Sequence, residues 1–186
     1  DIRNKRVTPV QDNMLKITTD GRKAALDMRL VDLIFGRESE SKVMRCAENI
    51  ADVYYDTRDT NSIQLVFCDI STPKEGFNLY DELKSLHNDK SIPGNKVAPI
   101  HEAQNERKKE DLFRELRKGE KSVLIGSTFK TGHGVNIQER LVAMHHLDVP
   151  WRPADMVQRE GRILRRGNTS KSVKIFRYIT KGSFDA

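Results

Sequence analysis

The sequence predicts an α/β domain in which a parallel sheet is covered by helices on both faces. Two observations carry this. Short, near-continuous apolar runs such as IQLVFCDI, residues 63–70, alternate with longer amphipathic segments, the pattern of strands buried on both sides. Residues 122–166 then run strand, Gly-rich polar loop, strand, arginine helix, a βαβ-like layout that brings loop and helix to one sheet edge. The 186 residues suffice for one such domain with a core, plus an extension.

Taken in order, residues 1–20 are polar and poorly patterned, and an extended arm is expected there. RKAALDMRLVDLIF (22–35) and SKVMRCAENIADVYYD (41–56) read as helices, with Ser41 placed as a cap. In the second, Val43, Ala47, Ile50, Ala51 and Tyr54 recur at helical spacing as a core-packing stripe, not a cofactor box. The run at 63–70 is a buried strand by length and composition. A helix at 77–87, a strand at 97–101, a helix at 104–118 and a strand at 122–127 follow. A short helix near 136–141, a strand at 143–148, a helix at 153–166 and a strand at 172–179 complete the series. Pro153 suits the first helical position, Asp155 the positive end of the helix dipole, and Gly167-Asn168 a stop. Gly161 falls inside that helix, where Gly costs about 1 kcal/mol relative to Ala and implies a close backbone approach. The domain division expected is 1–60, an arm and two helices leading in, then 61–186, the sheet domain.

Lys and Arg number 33 against 27 acidic residues, and the net charge of +6 favours a polyanionic partner over an acidic substrate. Within helix 104–118, acids alternate with bases at i,i+4 spacing, the mark of a solvated face. Cys46 and Cys68 lack Cys-x-x-Cys spacing and fit reduced thiols of a cytoplasmic protein. No apolar run approaches the roughly 18 residues of a membrane span, so no membrane partner is expected. His145 and His146, adjacent on a strand, point to opposite faces and do not suit one metal; both read as structural, and no metal site is expected.

QREGRILRRG, residues 158–167, sets Gln158, Arg162 and Arg165 on one helical face. Two fork-shaped guanidiniums beside an amide suit phosphate oxygens. This segment resembles motif VI of superfamily-two helicases and translocases, and GSTFKTGHGVN, residues 126–136, resembles motif V. LDVPWRPADMVQREGRILRRG, residues 147–167, is similar to the Swi/Snf-type branch. IQLVFCDIS resembles motif IV, and HEAQNERKKEDLF, residues 101–113, the segment after the next strand. NMLKITTDGRKAALDMRLVD (13–32) with HHLDVPWRPADM resembles very large helicase proteins with methylase-like portions from bacterial mobile elements. His133, Arg152 and Asn168 depart from the branch's usual residues and bear on the exact subfamily.

The resemblance implies the second RecA-like lobe of an ATP-dependent DNA helicase or translocase. The chain carries no Gly-x-x-x-x-Gly-Lys-Ser/Thr loop and no Asp-Glu pair closing a strand; such motors place both in a first lobe. A fragment of a longer protein is therefore expected, inactive alone, with ATP and Mg2+ held mainly by an N-terminal RecA-like lobe. Arg165 is implied as the arginine finger, an element worth about 10³ to 10⁵ in turnover. Arg162 is implied as the second phosphate contact or an organiser, and Gln158 as a hydrogen-bond partner near it. Gly134 and Asn136 would line the nucleotide side. Thr128 would donate to a nucleic-acid phosphate, Lys130 would add a contact, Ser71 would touch the nucleic-acid backbone and Arg107 a phosphate. Arg159 and Arg166 read as surface or DNA-facing, and Trp151 as stapling the turn before Pro153. The nucleic-acid partner implied is DNA, double-stranded and bound without sequence preference. Two other classes compete. Against a non-catalytic nucleic-acid-binding module stand both Arg162 and Arg165; against a doubly wound transferase stands the lack of a Gly-rich first βα turn.

Overall fold

The computed structural model describes residues 14–131, 137–161, 167–183 and 185. Among these, five strands form one parallel sheet in the order β2-β3-β1-β4-β5: β1 Ile63–Phe67, β2 Val97–Pro99, β3 Val123–Gly126, β4 Leu141–His146 and β5 Lys174–Arg177. The central strand β1 is buried along its whole length, which is why its sequence shows no polar alternation. Its odd and even positions serve opposite faces. Ile63, Leu65 and Phe67 join Leu124 and Met144 on one side, and Val66 joins Val123 and Ile125 on the other.

Among the described residues, five longer helices pack on this frame, with a sixth of a single turn at the site. They are α1 Met14–Leu26, α2 Lys42–Thr57, α3 Leu79–Asp89, α4 Glu106–Lys118, α5 Thr128–Thr131 and α6 Pro153–Glu160. The first core is built by α2 and α3, through Val43, Ala47, Ile50, Leu79, Leu83 and Leu86; the second takes Leu112, Phe113 and Leu116 of α4. Ser41 caps α2, its Oγ accepting from the Met44 N–H at 3.2 Å, and the Val43–Ala51 stripe is buried as expected. On the outward side of α4, Lys109 pairs with Glu106 and Arg114 with Asp111, at i,i+3 spacing.

Two readings of the N-terminal part are corrected. The polar stretch before residue 20 contains most of the first half of α1, where Thr18 and Thr19 donate their hydroxyls to the Met14 and Leu15 carbonyls. The helix expected over 22–35 breaks at Asp27. That residue is extended (φ −164°, ψ 126°) and its carboxylate accepts from the Arg29 N–H, starting a single 3-10 turn at Met28–Leu30. Arg29 then bridges Asp27 at 2.7 Å and Glu82 of α3 at 3.0 Å, fastening the N-terminal segment to the first core.

At the other end, α6 starts at Pro153 and closes at Gly161, whose N–H bonds the Val157 carbonyl at 2.9 Å. Among the described residues, no second element lies close to Gly161. A Cβ there would meet the Val157 carbonyl at 3.1 Å, so the constraint is the helix's own turn, not the approach of another backbone. Among the described residues, no helix is long and apolar enough to cross a membrane.

Candidate functional site

Strand register builds the site. Phe67 of β1 sits beside Gly126 of β3 and His146 of β4. Two residues beyond each lie Asp69, Thr128 and Asp148, so three polar side chains arrive at one level along the C-terminal sheet edge. The chain leaves β1 toward β2 on one side and leaves β4 toward β5 on the other, so the edge between β1 and β4 is the switch point of the sheet. Open parallel sheets form their crevices there.

Arg159 of α6 closes the group from above and is 0% exposed. Its Nε donates to Thr128 Oγ1 (2.7 Å) and its Nη1 to the Asp148 carbonyl (3.0 Å). Its Nη2 reaches Asp69 Oδ2 (2.7 Å) and Asp148 Oδ1 (3.2 Å). The guanidinium also lies over the Phe67 ring, 4.8 Å from the centroid. Thr128 gives both its N–H (2.6 Å) and its hydroxyl (2.7 Å) to the Asp69 carboxylate. Asp148 Oδ2 accepts from the Asp69 and Ile70 N–H groups. Burial pushes the Asp148 carboxyl up, and the Arg159 charge pulls against that rise. Asp148 is 1% exposed, while Asp69, at 34%, forms the open lip. Beside them His146, buried against Phe67, is held down to about 3, first by burial and then by the Arg159 and Arg177 charges. It is neutral at physiological pH.

Arg159 is thus corrected from a surface or DNA-facing residue to the buried hub of the cluster. Asp69 and Asp148 carry a sequence signal of their own, since each follows an apolar strand, in FCD and HLD, where a parallel sheet presents its functional edge. Ser71 is likewise corrected. It is 1% exposed, and its Oγ accepts from the Leu79 N–H at 3.0 Å, so it caps the approach to α3 and does not face a nucleic-acid backbone. Gln158 is exposed on α6, next to the inward Arg159, and Lys130 is half-buried on α5. Arg107 is exposed on α4 and stands apart from the cluster. Arg162, Arg165 and Arg166, with His133, Gly134 and Asn136, lie outside the described residues.

Next to Asp69 opens a cavity of about 420 Å³ lined by Arg22, Lys23, Trp151 and Arg152. Trp151 is 66% exposed, and the Arg22 guanidinium stacks over its ring at 4.5 Å while donating to the Val149 carbonyl. The turn before Pro153 is therefore held by α1 through Arg22, rather than by Trp151 folding inward.

Comparison with known proteins follows this geometry. Residues 41–167 match the family model described as "Helicase conserved C-terminal domain". "Defense against restriction protein B" of Escherichia phage P1 is 30% identical over 116 residues; the match covers 62% of this chain but spans only 4% of that protein's length. Among solved structures, the C-terminal part of the Fun30 ATPase domain aligns with TM-score 0.59 at 19% identity, covering 80% of this chain and 45% of that one. Domain 2 of the DEAD-box helicase Mss116p, bound to an RNA duplex, aligns with TM-score 0.54 at 18% identity, covering 74% and 49%. The Hef helicase domain of Pyrococcus furiosus gives TM-score 0.52 at 19% identity, covering 78% and 27%. At these identities the structural likeness speaks for the shared RecA-like fold.

Proposed function

The chain belongs to the helicase conserved C-terminal domain family, and on that premise we propose that it is the second motor lobe of an ATP-dependent DNA translocase or helicase of the Swi/Snf-like kind. The observation that carries this reading is the Arg159 brace. It locks α6 across the switch-point crevice, so that Gln158, one residue before Arg159, stands on a fixed base at the rim. A phosphate-facing arginine stabilises developing charge only when it is positioned before the reaction begins.

The residues present fit a shared nucleotide site. Asp69 and Asp148 already commit their carboxylates to Arg159 and to N–H groups, which leaves neither placed as a ligand for Mg2+. The cavity beside Asp69 is lined by Arg22, Lys23 and Arg152 against the carboxylates of Asp69 and Asp155, a slight excess of cations that can meet anionic oxygens. We therefore assign Mg2+ and most of the ATP contacts to a partner RecA-like lobe. When bound, ATP supplies the phosphoryl group whose transfer drives the cycle. Arg165 neutralises charge on that group, Arg162 holds a second phosphate or organises the first, and Gln158 contributes a hydrogen bond. Gly134 and Asn136 line the nucleotide side. The Thr128 hydroxyl donates to Asp69 and accepts from Arg159, which ties α5 to α6 and leaves it no proton for the nucleic-acid phosphate expected as its partner; Lys130 and Arg107 supply charge to nucleic-acid phosphates.

The reading of DNA as partner draws on the Swi/Snf-like motif sequence; Mss116p domain 2, solved on an RNA duplex, supports a nucleic-acid partner and does not favour DNA over RNA. The phage P1 match supports an origin in large proteins of bacterial mobile elements. The test is made in the full-length protein, where Arg165→Ala should cut turnover by about 10³-fold or more with nucleic-acid binding nearly unchanged. Arg165→Lys should fail as well, because an ammonium does not reproduce the planar fork. Near-normal turnover in either variant overturns the assignment and favours a non-catalytic binding module.

A further inference from the structure

The opposite end of the sheet carries a second feature that the motor reading does not use. Where the N-terminal ends of β1, β4 and β5 meet, a cavity of about 420 Å³ opens. Its size falls within the roughly 300–1,000 Å³ range of small-molecule sites. Arg140, just ahead of β4, and Lys171, just ahead of β5, stand on its wall. Among the described residues, neither side chain has an ion-pair or hydrogen-bond partner. A third cation, Lys174, reaches Asp56 only at 3.6 Å, with side chains 54% and 66% exposed, so that pair is weak.

The wall between these cations is preorganised. Thr169 donates both its N–H and its hydroxyl to the Glu139 carbonyl, each at 2.9 Å. Asn168 Nδ2 donates to the Leu141 carbonyl at 2.8 Å, and its Oδ1 accepts from the Ser170 N–H at 2.8 Å. Residues 168–170 are thereby fastened to the turn that leads into β4. The hydroxyls of Ser170 and Ser172 line the cavity and remain without partners among the described residues. Two unpaired cations of different geometry, a weakly held third and two free hydroxyls, that of Ser170 on the fastened segment, call for an anion with several acceptor oxygens. A tetrahedral phosphate meets that demand, since it can take a guanidinium fork, an ammonium and hydroxyl donors at once.

We propose that this groove is a phosphate-binding site, separated from the Arg159 crevice by the length of the strands, and that Arg140 and Lys171 are its principal contacts. The phosphate is one carried by a nucleic-acid strand or by a small phosphate ester. The site stands on its own geometry, whatever the crevice binds.

The test uses this chain labelled for amide NMR, titrated with inorganic pyrophosphate in one arm and with a short duplex DNA in the other. Pyrophosphate should shift the amides of residues 170–172, and the double variant Arg140→Gln, Lys171→Gln should weaken it by about tenfold or more. If the phosphate belongs to a nucleic-acid strand, the same variant should also lower the log–log salt slope of DNA binding by about 1. If it belongs to a small ester, the DNA arm stays unchanged while the pyrophosphate arm responds. Unmoved amides at 170–172 in both arms, or equal binding by wild type and variant in both, overturn the site. Lys171→Gln alone, on an exposed loop residue, carries the same comparison should the double variant fold poorly.

Discussion

Arg159 has a structural role that the exposed Gln158 beside it does not share. Its guanidinium satisfies a buried carboxylate, a carbonyl and a hydroxyl at once, so removing it strands Asp148 without its counter-charge. Breaking a buried pair from one side costs on the order of 3–5 kcal/mol. Arg159→Ala should therefore lose stability of that order in chemical denaturation, and Arg159→Lys should recover only part, because one ammonium cannot serve three directions. A loss below about 1 kcal/mol, the level of a surface pair, would show that Arg159 does not brace the crevice. Sequence spacing separates Arg159 from the Gln158–Arg162–Arg165 face but does not say which face turns inward. The apolar residues of α6 do not say so either, since Val157 is exposed.

At the level of elements, helix ends show how tightly local chemistry is used. Asn78 and Asn105 cap α3 and α4 by accepting N–H groups, and α4 ends on Gly119 in the left-handed region at φ +78°. That glycine is doubly constrained. A Cβ there would strain the backbone and would stand 2.4 Å from Cγ of Asn61, itself at φ +50°. Gly119→Ala should destabilise by more than about 1 kcal/mol. Asn61→Gly, which empties the contested space at a left-handed position, should rescue part of the loss. Melting temperatures of the two single variants and the double variant decide the point. Strictly additive losses would mean that the contact with Asn61 is unimportant and only the backbone angle matters.

For the molecule as a whole, burying neutral histidines sets a pH dependence. His145 lies between two partners, Tyr178 Oη at 2.9 Å from Nδ1 and Gln64 Oε1 at 3.0 Å from Nε2, an arrangement that suits a ring protonated on Nε2 alone. Burial, before all other causes, holds His145 and His146 down to about 3 and His87 to about 4. Unfolded histidines titrate near 6.5, roughly. Between those values the unfolded chain binds protons that the native chain does not, so stability falls as pH drops below about 6.5. Each histidine adds up to about 1.4 kcal/mol per pH unit within its window. Denaturation midpoints should hold steady above neutrality and fall between pH 6 and pH 4, roughly, with a shallower fall in His145→Gln. A profile that rises toward acid would contradict neutral burial. A second whole-molecule expectation concerns catalysis. With the Asp69 and Asp148 carboxylates engaged by Arg159, this chain alone should release no phosphate from ATP above a blank, with or without DNA. Turnover that co-purifies with the chain would refute the shared-site reading.

Much of this protein is written locally. The near-continuous apolar runs at β1 and β3 name strands buried on both faces, Ser41 and Pro153 mark helix starts, and the order of the motif-like segments points to the family that residues 41–167 match. These features depend on a side chain and neighbours within a turn or two, which is the distance over which periodicity and capping act. The break at Asp27 escapes that reading, because helical spacing continues through it while Asp27 and Arg29 are drawn to Glu82 of α3. Ser71 escapes it as well, since its inward turn is set by the start of α3. The brace lies furthest beyond reach. Arg159 meets Thr128 across 31 positions and Asp69 across 90, while Asp69 meets Thr128 across 59. Those residues share one level only because the strand order β2-β3-β1-β4-β5 and its register place three strand ends side by side. Which arginine is buried and which acids hold it are therefore decided by the packed sheet, where a charge removed from water must find its partners wherever the chain topology has put them.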